Sequence, residues 1–240
     1  MTVALAASSP SAAGPAVEAR VKALAFDGFA LFDLQPVFAL AETVFPGKGG
    51  QLSATWRVKI FEYTWLRASS GHYEDFASCI DGALSYATAS LKLPLTPGTR
   101  QTLLDAFATI KAFPDVAPAL RAFRMAGLRL AILANPTPAM LEQAVANSNL
   151  EGVFDAVIST DQAKTYKPHP KAYGLGTEIL RLNAPEIGFV ASASWDAVGA
   201  KWFGYRSLWV NRPGASGEAL GVEADKVVGG MAELVPLVVG

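Results

Sequence analysis

The sequence predicts an α/β fold: a doubly wound parallel sheet of Rossmann-like type, with an all-helical unit inserted after its first strand. Three observations predict it. Short apolar runs alternate with helix-spaced segments over the C-terminal half, as in βα repeats. One further apolar run, near residue 21, stands alone ahead of a long stretch with helical periodicity only. Polar residues stand just past several of the strand-like runs, where open parallel sheets place their chemistry.

The first strand is read in Val21-Lys22-Ala23-Leu24-Ala25-Phe26, followed at once by Asp27 and Gly28. A run of small and branched apolar residues with one charge suits a strand buried on both faces. Gly28 permits a turn that other residues resist and lets a ligand approach closely. Asp27 is either a reactive carboxylate or simply the cap of the next turn.

From Leu34 to Ile110 the spacing is helical. The sets are Val37, Leu40, Ala41 and Val44, then Leu52, Trp56, Ile60 and Tyr63, then Phe76, Ile80, Leu84 and Ala87. Leu103, Leu104 and Phe107 mark a fourth helix. Pro46-Gly47 with Gly49-Gly50, Ser69-Ser70-Gly71, and Pro94 with Pro97-Gly98 separate the four. Beyond them come a helix from Val116 to Arg124 stopping at Gly127, a strand from Leu128 to Ala134, and a helix from Pro138 to Asn147 capped by Thr137. Then follow a strand over 156–159, a loop from Lys164 to Pro170, a helix to Leu182, a strand over 187–191, a helix to Phe203 and a strand over 207–210. The division expected is a flexible tail over 1–20, an α/β core of 21–33 and 111–240, and a helical cap over 34–110.

Composition narrows the function. Of 240 residues, 51% are hydrophobic and 17% charged, and the formal net charge is -1. Such a chain has no electrostatic means of gripping nucleic acid. His72 and His169 are too few for a multi-histidine zinc site. The lone Cys79 cannot form an internal disulfide and fits a reducing cytoplasm. No apolar run approaches the ~20 residues that span a bilayer, and Val3 to Ala7 makes a poor signal sequence.

Asp27, Asn135, Lys167 and Asp196 all come after strands, so a parallel sheet brings all four to one edge. Singly, each has a structural reading as turn residue, solvated lysine or helix cap. Together they suggest one crevice, with the helical insert leaving from the same edge as a lid.

The stretch from Val21 to about Pro213 resembles the haloacid dehalogenase superfamily and, within it, the L-2-haloacid dehalogenases. The resemblance lies in Phe45-Pro46-Gly47, Ser53-Ala54-Thr55-Trp56-Arg57, Glu62-Tyr63-Thr64-Trp65-Leu66-Arg67, Tyr166-Lys167-Pro168 and Trp195-Asp196-Ala197. It implies a hydrolase whose nucleophile is Asp27, kept ionised by Lys167, with Asp196 orienting Lys167 and the hydrolytic water. It places Gly28, Phe29, Lys48, Ala134, Asn135, Tyr173 and Trp195 beside the substrate, and Trp56, Tyr63 and Trp65 in the lid. Of these, Asn135 would be an amide donor near the halide and Lys48 would stand for an arginine that assists halide departure. The implied substrate is a small 2-substituted carboxylic acid; no cofactor and no metal are expected, and a homodimer is. The superfamily's magnesium phosphatases carry a second aspartate where Phe29 stands, and Phe offers no oxygen ligand.

The chain departs from that pattern in its neutral donors. Ala30, Ala134, Ala191 and Ala193 stand where hydroxyl or amide side chains are usual, with Ser192 and Ser194 adjacent. Three readings stay open: a 2-haloacid dehalogenase; a hydrolase of the same mechanism on a non-halogenated substrate, such as ring opening of azetidine-2-carboxylate; and a catalytically impaired binding protein.

Overall fold

A computed structural model describes residues 20–239, so the tail expected over 1–20 lies, but for Arg20, outside the described residues. Six strands form one parallel sheet: β1 (Ala23–Phe26), β4 (Arg129–Ala134), β5 (Ala156–Ser159), β6 (Ile187–Ala191), β7 (Arg206–Val210) and β8 (Lys226–Val228). Their order is β5-β4-β1-β6-β7-β8, and every neighbouring pair is parallel. The central β1 is fully buried. Alternation sends Leu24 and Phe26 into one apolar layer and Ala23 and Ala25 into the other. The first layer packs on α6 (Val116–Met125), α7 (Pro138–Asn147) and α10 (Met231–Val239). The second packs on α8 (Pro170–Leu180) and α9 (Ser194–Phe203).

Between β1 and β4 the chain forms a four-residue turn of helix, α1 (Gly28–Leu31), then α2 (Gln35–Val44), α3 (Gly49–Ser70), α4 (Phe76–Ser90) and α5 (Pro97–Asp105). Trp56 anchors this unit. It is fully buried, its indole N–H donates to the Ile80 carbonyl at 2.9 Å, and its ring meets Phe38 and Phe107 edge-on. Asp75 and Thr96 accept from backbone N–H groups at the starts of α4 and α5, and Thr137 does so for α7 as its sequence predicts.

The structure adds features that the sequence pattern did not reveal. A two-residue antiparallel ribbon pairs β2 (Phe32–Asp33) with β3 (Lys111–Ala112), tying together the points where the chain leaves and re-enters the sheet region. Gly49 and Gly50 begin α3 rather than separating it from α2. A side chain at Gly49 would meet the Glu42 backbone at 2.2 Å, so glycine is what lets the two helices abut. Strand β8 and helix α10 follow the last strand predicted. β8 is an edge strand of three residues with one buried side chain, too short and too exposed for a buried-strand pattern.

Candidate active site

The central strand is the switch point of the sheet. From β1 the chain goes to β4 and β5 on one side, then to β6, β7 and β8 on the other, and a crevice opens at the carboxyl ends where the two directions part. Asp27 is the first residue past β1. Its backbone N–H still bonds the Val190 carbonyl at 2.9 Å, which fixes it against β6. Its Oδ2 accepts from the Phe29 N–H at 3.1 Å and from Ser192 Oγ at 2.6 Å. Asp27 therefore does cap α1, as the structural reading held, but that bond occupies one oxygen only.

The other oxygen, Oδ1, accepts from Lys167 Nζ at 2.9 Å, and the same ammonium donates to Asp196 Oδ2 at 2.6 Å. Lys167 is 1% exposed, not solvated. Asn135, just past β4, pins its backbone: Asn135 Oδ1 accepts from the Lys167 N–H at 3.0 Å and from Thr160 Oγ1 at 3.2 Å. Asp196, in the first turn of α9, accepts at Oδ1 from the Tyr173 hydroxyl at 2.6 Å. Asp27, Lys167 and Asp196 are the three charged side chains buried among the described residues, and they form one hydrogen-bonded line.

The electrostatics follow. Burial works to lower the Lys167 pKa, but the Asp196 and Asp27 carboxylates outweigh it, and the ammonium is held above its ordinary range. Burial pushes Asp196 up to about 6; Lys167 and Tyr173 oppose that rise and the charge on Asp27 adds to it. Tyr173 stays a neutral donor, because burial and then Asp196 drive its pKa well above normal.

Beside this line lies a cavity of about 410 Å³, walled by the sheet edge and by the helices of the insert. Phe29 and Ser192, both bonded to Asp27, form its floor, and Ala193 continues it. Phe38, Ile60, Phe61, Phe76 and Phe107 form an apolar wall. Two arginines line it. Arg212 is engaged with Asp115 through Nη1 at 3.0 Å and Nη2 at 2.9 Å. Arg57 makes no ion pair among the described residues, and its guanidinium lies 5.0 Å from the centre of the Phe38 ring.

The other expected site residues lie as follows. Lys48 is exposed ahead of α3 and does not line the cavity; Arg57, one helical turn before Ile60 and Phe61, is the insert's cation there. Tyr173 does not line it either. It is fully buried behind Asp196 and acts on that carboxylate. Gly28 needs no special turn; its constraint is Ala134, whose Cβ would stand 3.3 Å from an added methyl group. Ala134 is itself core. Trp56 backs the wall from behind through Phe38 and Phe107, and Tyr63 packs on Tyr86 and Gly82 within the insert. Trp65 and Trp195 meet edge-on, with both rings against Phe61. Of the two serines left open, Ser192 holds Asp27, whereas Ser194 bonds Glu218 Oε1 at 2.6 Å. Arg57 and Ser192 had no distinctive sequence signal beyond a place in a quoted motif and a place after a strand.

The chain is similar to known proteins. A family model for haloacid dehalogenase-like hydrolases matches residues 18–204. The chain is 41% identical to haloacetate dehalogenase H-2 of Moraxella sp. (strain B) over 91% of its own length and 98% of that protein's. It is 38% identical to an (S)-2-haloacid dehalogenase of Pseudomonas sp. (strain YL), with 90% and 94% covered. Among solved structures it is similar to an L-2-haloacid dehalogenase from Xanthobacter autotrophicus with chloropropionic acid covalently bound. That likeness has a TM-score of 0.85 and 34% identity, over 92% of this chain and 99% of that one.

Proposed function

The chain belongs to the haloacid dehalogenase-like hydrolases, and from that premise we propose that it is an (S)-2-haloacid dehalogenase whose nucleophile is Asp27. The observation that carries the reading is the buried line of Asp27, Lys167 and Asp196 beside the cavity floor. The Lys167 ammonium, 2.9 Å from Asp27 Oδ1, supplies the counter-charge that a carboxylate nucleophile needs where water is excluded.

In the first step an Asp27 oxygen attacks C2 of the substrate from the side opposite the halogen. The C–O bond forms as the carbon–halogen bond breaks, the halide leaves with the bonding pair, and C2 inverts. In the second step water attacks the side-chain carbonyl carbon of the resulting ester. The acyl C–O bond breaks, the 2-hydroxy acid leaves, Asp27 is restored and one proton is released. Asp196, with its pKa near 6, is suited to take that proton at neutral pH. The line of two carboxylates and one ammonium is itself net negative, so an incoming acid and a departing halide need a further cation. Arg57, without a carboxylate partner, is placed to be it.

The segment over 34–110 serves as the lid, since its helices supply most of the apolar wall. This displacement calls for no metal. Among the described residues no helix is long and apolar enough to cross a membrane. We take the enzyme to be cytoplasmic, a reading that the single, buried Cys79 supports, and to be a homodimer.

The test is halide release from L-2-chloropropionate, with D-lactate as co-product. Asp27→Asn should lose at least a thousandfold in rate. In a single turnover in heavy-oxygen water, the label should enter the Asp27 peptide rather than the product. Equal rates for the two proteins, or label in the product alone, would remove the reading.

A further inference from the structure

We propose that the site prefers 2-haloacids bearing a bulky apolar group on C3, an aryl ring or an alkyl chain, over haloacetate and 2-halopropionate. The inference rests on the reading above and concerns what fills the rest of the cavity. About 410 Å³ lies within the range, ~300–1,000 Å³, of pockets that hold drug-sized ligands, and a two- or three-carbon acid leaves most of it unoccupied.

The walls say what the remainder suits. Starting at the nucleophile, Phe29 stands 6.2 Å from Phe76 and 6.5 Å from Phe61 between ring centres. Among the other lining residues, Phe38 and Phe107 meet edge-on at 6.4 Å. The polar groups of Ser192 and Arg57 can serve the reacting end, and Ala193 beside Ser192 offers only a methyl group. A small acid would leave this aromatic surface against water. A C3 substituent lying along it removes that contact, and an aryl ring can add tilted or edge-on contacts of the kind the phenylalanines already make. Each methylene moved from water to such a wall is worth about fourfold in binding. Transition-state binding at C2 then gains from a group remote from the bond that breaks.

The experiment compares kcat/KM for L-2-bromopropionate, L-2-bromohexanoate and L-2-bromo-3-phenylpropionate by bromide release. The two larger acids should exceed bromopropionate by at least tenfold. Leu34→Trp, which enlarges a half-buried wall residue, should cut that ratio at least tenfold. Ile60→Phe, on the other wall, should cut it in the same direction if the first variant folds poorly. Turnover of bromopropionate with no gain for the larger acids would overturn this inference and leave the dehalogenase reading standing. No bromide from any of the three would overturn both.

Discussion

Tyr173 shows how a hydroxyl bonded to a buried carboxylate can set the working range of the site. Its hydroxyl donates to Asp196 Oδ1 at 2.6 Å, which favours the ionised carboxylate against the burial that pushes it up to about 6. The sign is that of a raised acid. The folded protein holds the Asp196 proton more tightly than the unfolded chain does. The stability from this group is therefore present below the ordinary carboxylate pKa and lost as pH rises through about 6. Activity runs the other way, because only the ionised form can hold Lys167 and accept a proton from water. The acid limb of kcat/KM should accordingly lie near pH 6. Tyr173→Phe removes a hydrogen bond to a charged group, worth ~1.5–3 kcal/mol, so the limb should move up by about one unit or more. A pH–rate profile of the variant checks this; an unmoved limb would assign it to another group. Sequence alone pointed to Asp27, Lys167 and Asp196 because each stands beyond a strand. That Arg57 rather than Lys48 lines the cavity, and that Tyr173 bonds Asp196, was not legible, because which side of a helix or loop faces the crevice depends on packing that no short motif encodes.

At the scale of elements, α8 and α9 must come close enough for Tyr173 to reach Asp196, and Gly199 is what allows it. A Cβ at position 199 would stand 2.5 Å from the Tyr173 hydroxyl oxygen and 2.8 Å from Pro168 Cβ. Pro168 follows Lys167 directly, so the same glycine seats both the ammonium and the residue behind its partner. Gly199→Ala should lower kcat at least tenfold by displacing both. Tyr173→Phe in that background should restore part of the loss, since it deletes the nearer clashing atom. Steady-state rates of the two single variants and the double variant test this; a double variant no better than Gly199→Ala would place the damage at Pro168 alone. The loop is held from the insert side as well. The Tyr166 hydroxyl donates to the Glu74 carbonyl, the Tyr73 hydroxyl donates to Asp161 Oδ1 at 2.5 Å, and the two rings stack at 5.3 Å. These ties were not legible in the sequence: Tyr73 and Tyr166 are far apart in the chain and carry no periodicity. The βα alternation was legible, because buried parallel strands must be apolar along their whole length. β8 and the β2–β3 ribbon were not, because two or three residues at an edge carry no such requirement.

For the whole molecule, the notable cost is a line of two carboxylates and one ammonium buried at the carboxyl end of the central strand. Buried ion pairs stabilise a fold weakly, since losing water offsets most of the attraction, whereas removing one partner leaves charge uncompensated. Here one ammonium serves two carboxylates, Asp27 at the end of β1 at 2.9 Å and Asp196 in the first turn of α9 at 2.6 Å. Lys167 thus joins the end of β1 to the start of α9, while its own backbone is pinned through Asn135 to the end of β4. Its loss would be felt across the switch point. Lys167→Met keeps the length and apolar stem of the side chain and deletes only the charge. At pH 8 it should destabilise the protein by about 3–5 kcal/mol, a fall in Tm on the order of ten degrees for a chain of this size. With the cation gone, the two carboxylates repel each other in a medium that already disfavours their ionised forms, so protonation of one relieves most of the strain. The penalty should therefore shrink markedly at pH 5. Denaturant midpoints for both proteins at the two pH values measure it, and an equal penalty at both would mean that packing around the methionine, not unbalanced charge, is what the substitution disturbs.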